Sequence, residues 1–91
     1  MTEQERLKYI NTTCNTNYKS MDEINWYYIS KKQNLSESFI REFKNKVNWE
    51  DISERQNLSK EFLREFKDKI YWKSFFNRDD MQEILIDKMI N

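Results

Sequence analysis

The feature that most constrains this chain is a repeat. Residues 26–48, WYYISKKQNLSESFIREFKNKVN, and residues 49–71, WEDISERQNLSKEFLREFKDKIY, agree at 13 of 23 positions. A third, diverged copy opens at Trp72 and reads WKSFFNRDDMQEILIDKMIN. In it Phe75 falls where Ile52 stands, Met81 at Leu58, Leu85 at Phe62 and Met89 at Phe66, and Trp26, Trp49 and Trp72 mark the three starts. Self-similarity at a period of roughly 20–50 residues belongs to stacked units, none of which buries its apolar face alone.

Each copy reads as two helices. In the first, Trp49, Ile52 and Gln56 recur at i, i+3, i+7 and share a face. The second opens at Ser59, an N-cap, with Leu58 before it and Leu63 after it at the spacing of a hydrophobic staple. Ser36, Leu35 and Ile40 repeat the device. Phe62, Phe66 and Ile70 carry the stripe onward at i, i+4, i+8, as do Phe39, Phe43 and Val47, so this helix is expected to be the longer one. Glu42–Lys46 and Glu65–Lys69 have the order of favourable i, i+4 pairs. The Gln33 and Gln56 amides are expected to bond to turn backbone.

Upstream, Thr2 and Glu5 have capping-box spacing, and Leu7, Ile10 and Cys14 fall at i, i+3, i+7, predicting a helix over 3–14. NTNYKS is a polar connector, and Ser20 with Glu23 is expected to cap a helix carrying Met21, Ile24 and then Trp26. The expected fold is therefore all-α: about six or seven short helices, arranged as αα-hairpin repeats stacked in a small solenoid with a helical N-terminal cap. It forms one domain over 1–91, with the cap at 1–25, units at 26–48 and 49–71, and a degenerate unit at 72–91. The absence of Gly and Pro removes the usual material of hairpin turns and linkers and favours the helical reading.

The string W-x-x-I-S-x-x-Q-N-L-S-x-x-F-[I/L]-R-E-F-K-x-K-[V/I], at 26–47 and 49–70, resembles tandem repeats of proteins from large DNA viruses and bacteriophages. The resemblance covers about half of the chain and implies helical repeats and a viral or phage origin. It brings no catalytic residue and no defined ligand. The abundance of Asn, Lys and Ile, with no Ala, is in keeping with an AT-rich genome.

Residue chemistry argues against an enzyme. Without His there is neither a Ser–His pair nor a histidine metal site, and one cysteine builds no thiolate zinc site. Without Gly there is no phosphate-cradling loop, so no cofactor is expected. The carboxylates Glu50–Asp51 and Asp79–Asp80 stand at expected helix N-termini, where they complement the helix dipole. Cys14 is expected in the core, and the single thiol points to a reducing compartment. A signal peptide is not expected from MTEQERLKYI, nor a membrane span from any apolar run, so the expected location is the cytosol, that of the host if the chain is viral. The three tryptophans are expected in the core with Ile29, Ile52 and Phe75. Sixteen basic and sixteen acidic residues leave no global field toward nucleic acid or lipid.

Three surfaces then compete. On the first helix every outward position changes between copies: Tyr27, Tyr28, Lys31 and Lys32 become Glu50, Asp51, Glu54 and Arg55, then Lys73, Ser74, Asn77 and Arg78. Repeat proteins meet partners on an exposed surface formed by adjacent units, so Tyr27, Tyr28, Lys31, Glu50, Asp51 and Glu54 form the leading protein-contact face. Neutral drift at surface positions would leave the same pattern. On the second helix Arg41, Lys44, Arg64 and Lys67 would align as a basic stripe for nucleic acid, interrupted by Glu42 and Glu65; a solvated face is the plainer reading. On the last helix Ile84, Ile86 and Ile90 widen the apolar arc and offer a homodimer contact, unless the cap or the chain's curvature covers them. The leading expectation is a stoichiometric inhibitor of a host protein or defence complex, anti-CRISPR-like, that blocks a channel or assembly surface. A nucleic-acid-binding module and a self-assembling structural protein are the alternatives.

Overall fold

The structure, a computed structural model, describes residues 1–32 and 34–78. The described residues form six α-helices and no strand: α1 (Glu3–Cys14), α2 (Trp26–Lys32), α3 (Glu37–Glu42), α4 (Trp49–Arg55), α5 (Lys60–Glu65) and α6 (Trp72–Phe76), with a 3₁₀ turn at Met21–Glu23 between α1 and α2.

The start of α1 follows from local chemistry. Thr2 accepts a hydrogen bond from the Glu5 amide at 3.1 Å, and its own amide donates to the Glu5 carboxylate at 2.7 Å. The bond from the Thr2 backbone amide, with the Thr2 hydroxyl second, holds the Glu5 carboxyl below its ordinary value. The helix ends at Asn15, which adopts a left-handed conformation with φ 55°. Asn11 then folds the connector back: its amide donates to the Tyr18 carbonyl and accepts from the Tyr18 amide, both at 2.9 Å. Ser20 makes no side-chain cap, and Glu23 accepts from the Lys19 amide instead. The expected helix through Met21, Ile24 and Trp26 is thus a 3₁₀ turn, a break, and α2, which Asn25 starts by accepting from the Tyr28 amide.

The second helix of each copy is shorter than its stripe implied. Ser36 and Ser59 cap α3 and α5 by accepting from the Phe39 and Phe62 amides. Both helices stop after six residues, at Glu42 and Glu65. The chain continues as a hydrogen-bonded turn, with the Val47 amide on the Phe43 carbonyl at 3.0 Å and the Ile70 amide on Phe66 at 3.1 Å. That i+4 bond keeps Phe43 and Val47, and Phe66 and Ile70, buried on one side although the helix has ended. The Trp indoles fasten the turns: Trp49 Nε1 donates to the Lys44 carbonyl at 2.9 Å, and Trp72 Nε1 to Lys67 at 3.0 Å. Each ring meanwhile lies on its own unit, Trp26 on Phe43 at 5.5 Å and Trp49 on Phe66 at 5.2 Å. The three tryptophans are therefore partly buried and packed against the core.

The core is a single cluster running from Ile10 and Cys14 through Ile29, Phe39, Ile52 and Phe62 to Phe75. Phe39, Phe62 and Phe75 are wholly buried, each worth about 1.5–3 kcal/mol of apolar transfer. The helices that pack closely on one another are the first helices of successive copies, α2 on α4 and α4 on α6.

Polar bonds within and between copies follow the repeat. Ser30 Oγ accepts from the Asn48 amide, and Ser53 Oγ from the Tyr71 amide, both at 2.9 Å. Gln56, 1% exposed, reaches back from the second copy to the first, donating to the Ser30 carbonyl and accepting from the Leu35 amide, both at 2.9 Å. The expected Gln–backbone bond thus forms, and it joins two units; Gln33 lies outside the described residues. Glu37 accepts from the Ser59 amide and hydroxyl. No buried side-chain polar atom among the described residues lacks a partner.

Candidate functional site

Ile29, Ile52 and Phe75 stand at the same position of α2, α4 and α6 and are wholly buried. α2 packs on α4 and α4 on α6, so the first helices of the three copies are neighbours in series, and their outward positions are the candidate contact row. Tyr27 is 69% and Tyr28 44% exposed, the largest exposed aromatic surface together with Tyr71. Neither phenol makes a hydrogen bond, ion pair or ring contact among the described residues. Lys31, Lys32, Glu50, Glu54 and Arg55 are exposed, and Asp51 is half-buried.

The charges of the row are not equally available. Glu54 is paired with Arg55 at 3.5 Å. Glu50 and Asp51 make no ion pair among the described residues and sit in the first turn of α4, whose dipole favours them. In the third copy Lys73 and Asn77 are exposed and Ser74 is half-buried. Arg78 departs from the outward pattern: its Nη1 donates to the Ser53 carbonyl at 3.0 Å and the Gln56 carbonyl at 2.7 Å, and its guanidinium lies 5.6 Å over the Phe75 ring. It takes on the Ser53 carbonyl the part that Gln56 takes on Ser30.

The basic stripe is broken at its first member. Arg41 lies over the Phe62 ring at 5.3 Å and pairs with Glu65 at 2.9 Å. Glu42 is taken by Arg6 at 3.0 Å. The two i, i+4 pairs expected on these helices, Glu42–Lys46 and Glu65–Lys69, do not form, because each glutamate meets an arginine from elsewhere in the chain. Lys44, Arg64 and Lys67 remain exposed. Ile84, Ile86 and Ile90 lie outside the described residues, as do Asp79 and Asp80.

No three His, Cys, Asp or Glu side chains among the described residues are placed to hold a metal ion. Cys14 is buried in the core, and burial pushes its thiol above the ordinary range. No described helix is long and apolar enough to cross a membrane. An open depression of about 570 Å³, lined in part by Leu7, Lys8, Asn11, Thr12 and Lys19, lies where the connector folds back on α1. Sequence reasoning missed it, since those positions read as a helix flank and a polar linker. No protein-family model, curated protein or solved structure matches the chain.

Proposed function

We propose that this chain is a short solenoid of hairpin repeats that binds a partner protein stoichiometrically, without catalysis, through the row of first helices. Tyr27 and Tyr28 supply the anchoring aromatic area, and Glu50 and Asp51 supply charge that orients the partner; Lys31 and Glu54 stand beside them. Following the resemblance to viral and phage repeats, the partner is a host protein or defence complex in the cytosol, and binding blocks a channel or an assembly surface.

One observation carries this reading. Gln56, Trp49, Trp72, Arg41 and Glu65, which bond one unit to the next, and Ser30 and Ser53, which hold the last residue of their own unit, occupy positions identical in the first two copies. Glu37 and Arg78 are the exceptions, at positions that differ between the first two copies. Tyr27, Tyr28, Glu50 and Asp51 occupy positions that differ, and their side chains take part in none of these bonds. Tyr27 and Tyr28, large, exposed and outside the bonds between units, support a surface used for something else. The nucleic-acid reading is weakened because Arg41 is committed to Glu65 and Phe62.

The test is affinity capture from nuclease-treated host lysate with the tagged chain and with its Tyr27→Ala/Tyr28→Ala variant. The proposal expects one protein or complex in near-stoichiometric amount, lost with the variant while its helical circular dichroism is unchanged. Equal recovery by both chains rejects the face. Recovery of nucleic acid alone from untreated lysate moves the function to Lys44, Arg64 and Lys67.

A further inference from the structure

The bonds between the first two copies follow a rule that has a consequence for the size of the partner surface. Each group offered by residues 26–48 is received by a group of residues 49–71, and residues 26–48 themselves contain the same receiving group. Ser59, which donates to Glu37, corresponds to Ser36; Glu65, which receives Arg41, corresponds to Glu42; Phe62, under the Arg41 guanidinium, corresponds to Phe39. Gln56, which bridges the Ser30 carbonyl and the Leu35 amide, corresponds to Gln33 in the repeat. Asn48, whose amide is held by Ser30 and whose side chain caps α4, would cap a following α2 in the same way.

We propose that residues 26–48 are a self-compatible unit, able to follow themselves, so that the length of the partner-facing row is set by the number of units. This rests on reading the chain as stacked hairpin repeats. Residues 49–71 lack two parts of the rule: Lys60 stands where Glu37 accepts, and Tyr71, which gives α6 no side-chain cap, stands where Asn48 caps α4. The third copy lacks another, because Phe76 replaces the serine hydroxyl and packs instead on Trp72 at 5.5 Å. A lengthened array therefore grows by copies of 26–48 inserted after Asn48.

The experiment places a second copy of residues 26–48 directly after Asn48 in the full chain. The expected product is a monomer by light scattering that gains the circular dichroism of thirteen helical residues, seven as in α2 and six as in α3. It unfolds in one transition at a Tm no lower than the parent's. A companion carrying Gln33→Ala in the added copy alone should unfold at a clearly lower Tm. An insert that adds no helical signal, is clipped out by limited proteolysis, lowers Tm, or is indifferent to the companion substitution overturns the proposal. None of these readouts uses the partner, so failure here is distinct from failure to capture one.

Discussion

The Arg41 guanidinium lies against the Glu65 carboxylate, with Nε 2.9 Å from Oε1 and 3.1 Å from Oε2. These residues are 24 positions apart, and the bond joins the second helix of one copy to that of the next. Both side chains are 40–46% exposed. A double-mutant cycle of Arg41→Ala and Glu65→Ala in urea should therefore give a coupling of about 0.5–1 kcal/mol, falling with added salt. A coupling near zero would mean that packing on Phe62 does all the joining.

Phe62 should matter far more than the ion pair laid over it. It is wholly buried among the core side chains. Phe62→Ala should cost about 3–5 kcal/mol by chemical denaturation. A loss under about 1 kcal/mol would contradict a shared core running across the two copies.

Gln56 is the clearest polar joint. Gln56→Ala removes both partners of buried backbone groups, the Leu35 amide and the Ser30 carbonyl. The expected cost is about 2–4 kcal/mol, since each orphaned buried group costs about 1–3. Amide exchange at Leu35 should accelerate selectively in the variant.

The thiol gives a pH signature. Cys14 titrates above its unfolded value because burial disfavours the thiolate. The neutral thiol's contribution is thus fully present below the unfolded thiol pKa of about 8.5 and lost as pH rises through the higher folded value. Stability measured from pH 7 to 10 should fall more steeply for the parent than for Cys14→Ala, even though the substitution lowers stability at pH 7. Parallel profiles would contradict the buried thiol.

Much of the scaffold was legible because it is written in short-range chemistry. Thr2 and Glu5 lie three residues apart and fixed the start of α1; Ser36 and Ser59 fixed α3 and α5. The length of α3 and α5 was not legible, since an i+4 bonded turn gives the same Phe–Val or Phe–Ile spacing as helix. Pairing across units was hidden for a different reason. A helical wheel places Arg41 outward but says nothing of what the next unit brings to it. A usable signal existed in Ser30 and Ser53, kept between copies at positions the apolar stripe does not require, and it marked the joint. For the contact row, sequence and structure agree on exposure of Tyr27 and Tyr28, and exposure alone names no partner.

The most direct measurement compares two chains in one capture experiment. One carries Tyr27→Ser, Tyr28→Ser, Glu50→Ser and Asp51→Ser; the other carries Gln56→Ala. The account predicts that the first keeps the parent's helical signal and a Tm within a few degrees, yet loses partner recovery at least tenfold. The second should lose Tm and retain recovery at temperatures where it stays folded. If instead the outward variant unfolds like Gln56→Ala, or captures its partner undiminished, the division between a copied scaffold and an uncopied contact surface is wrong.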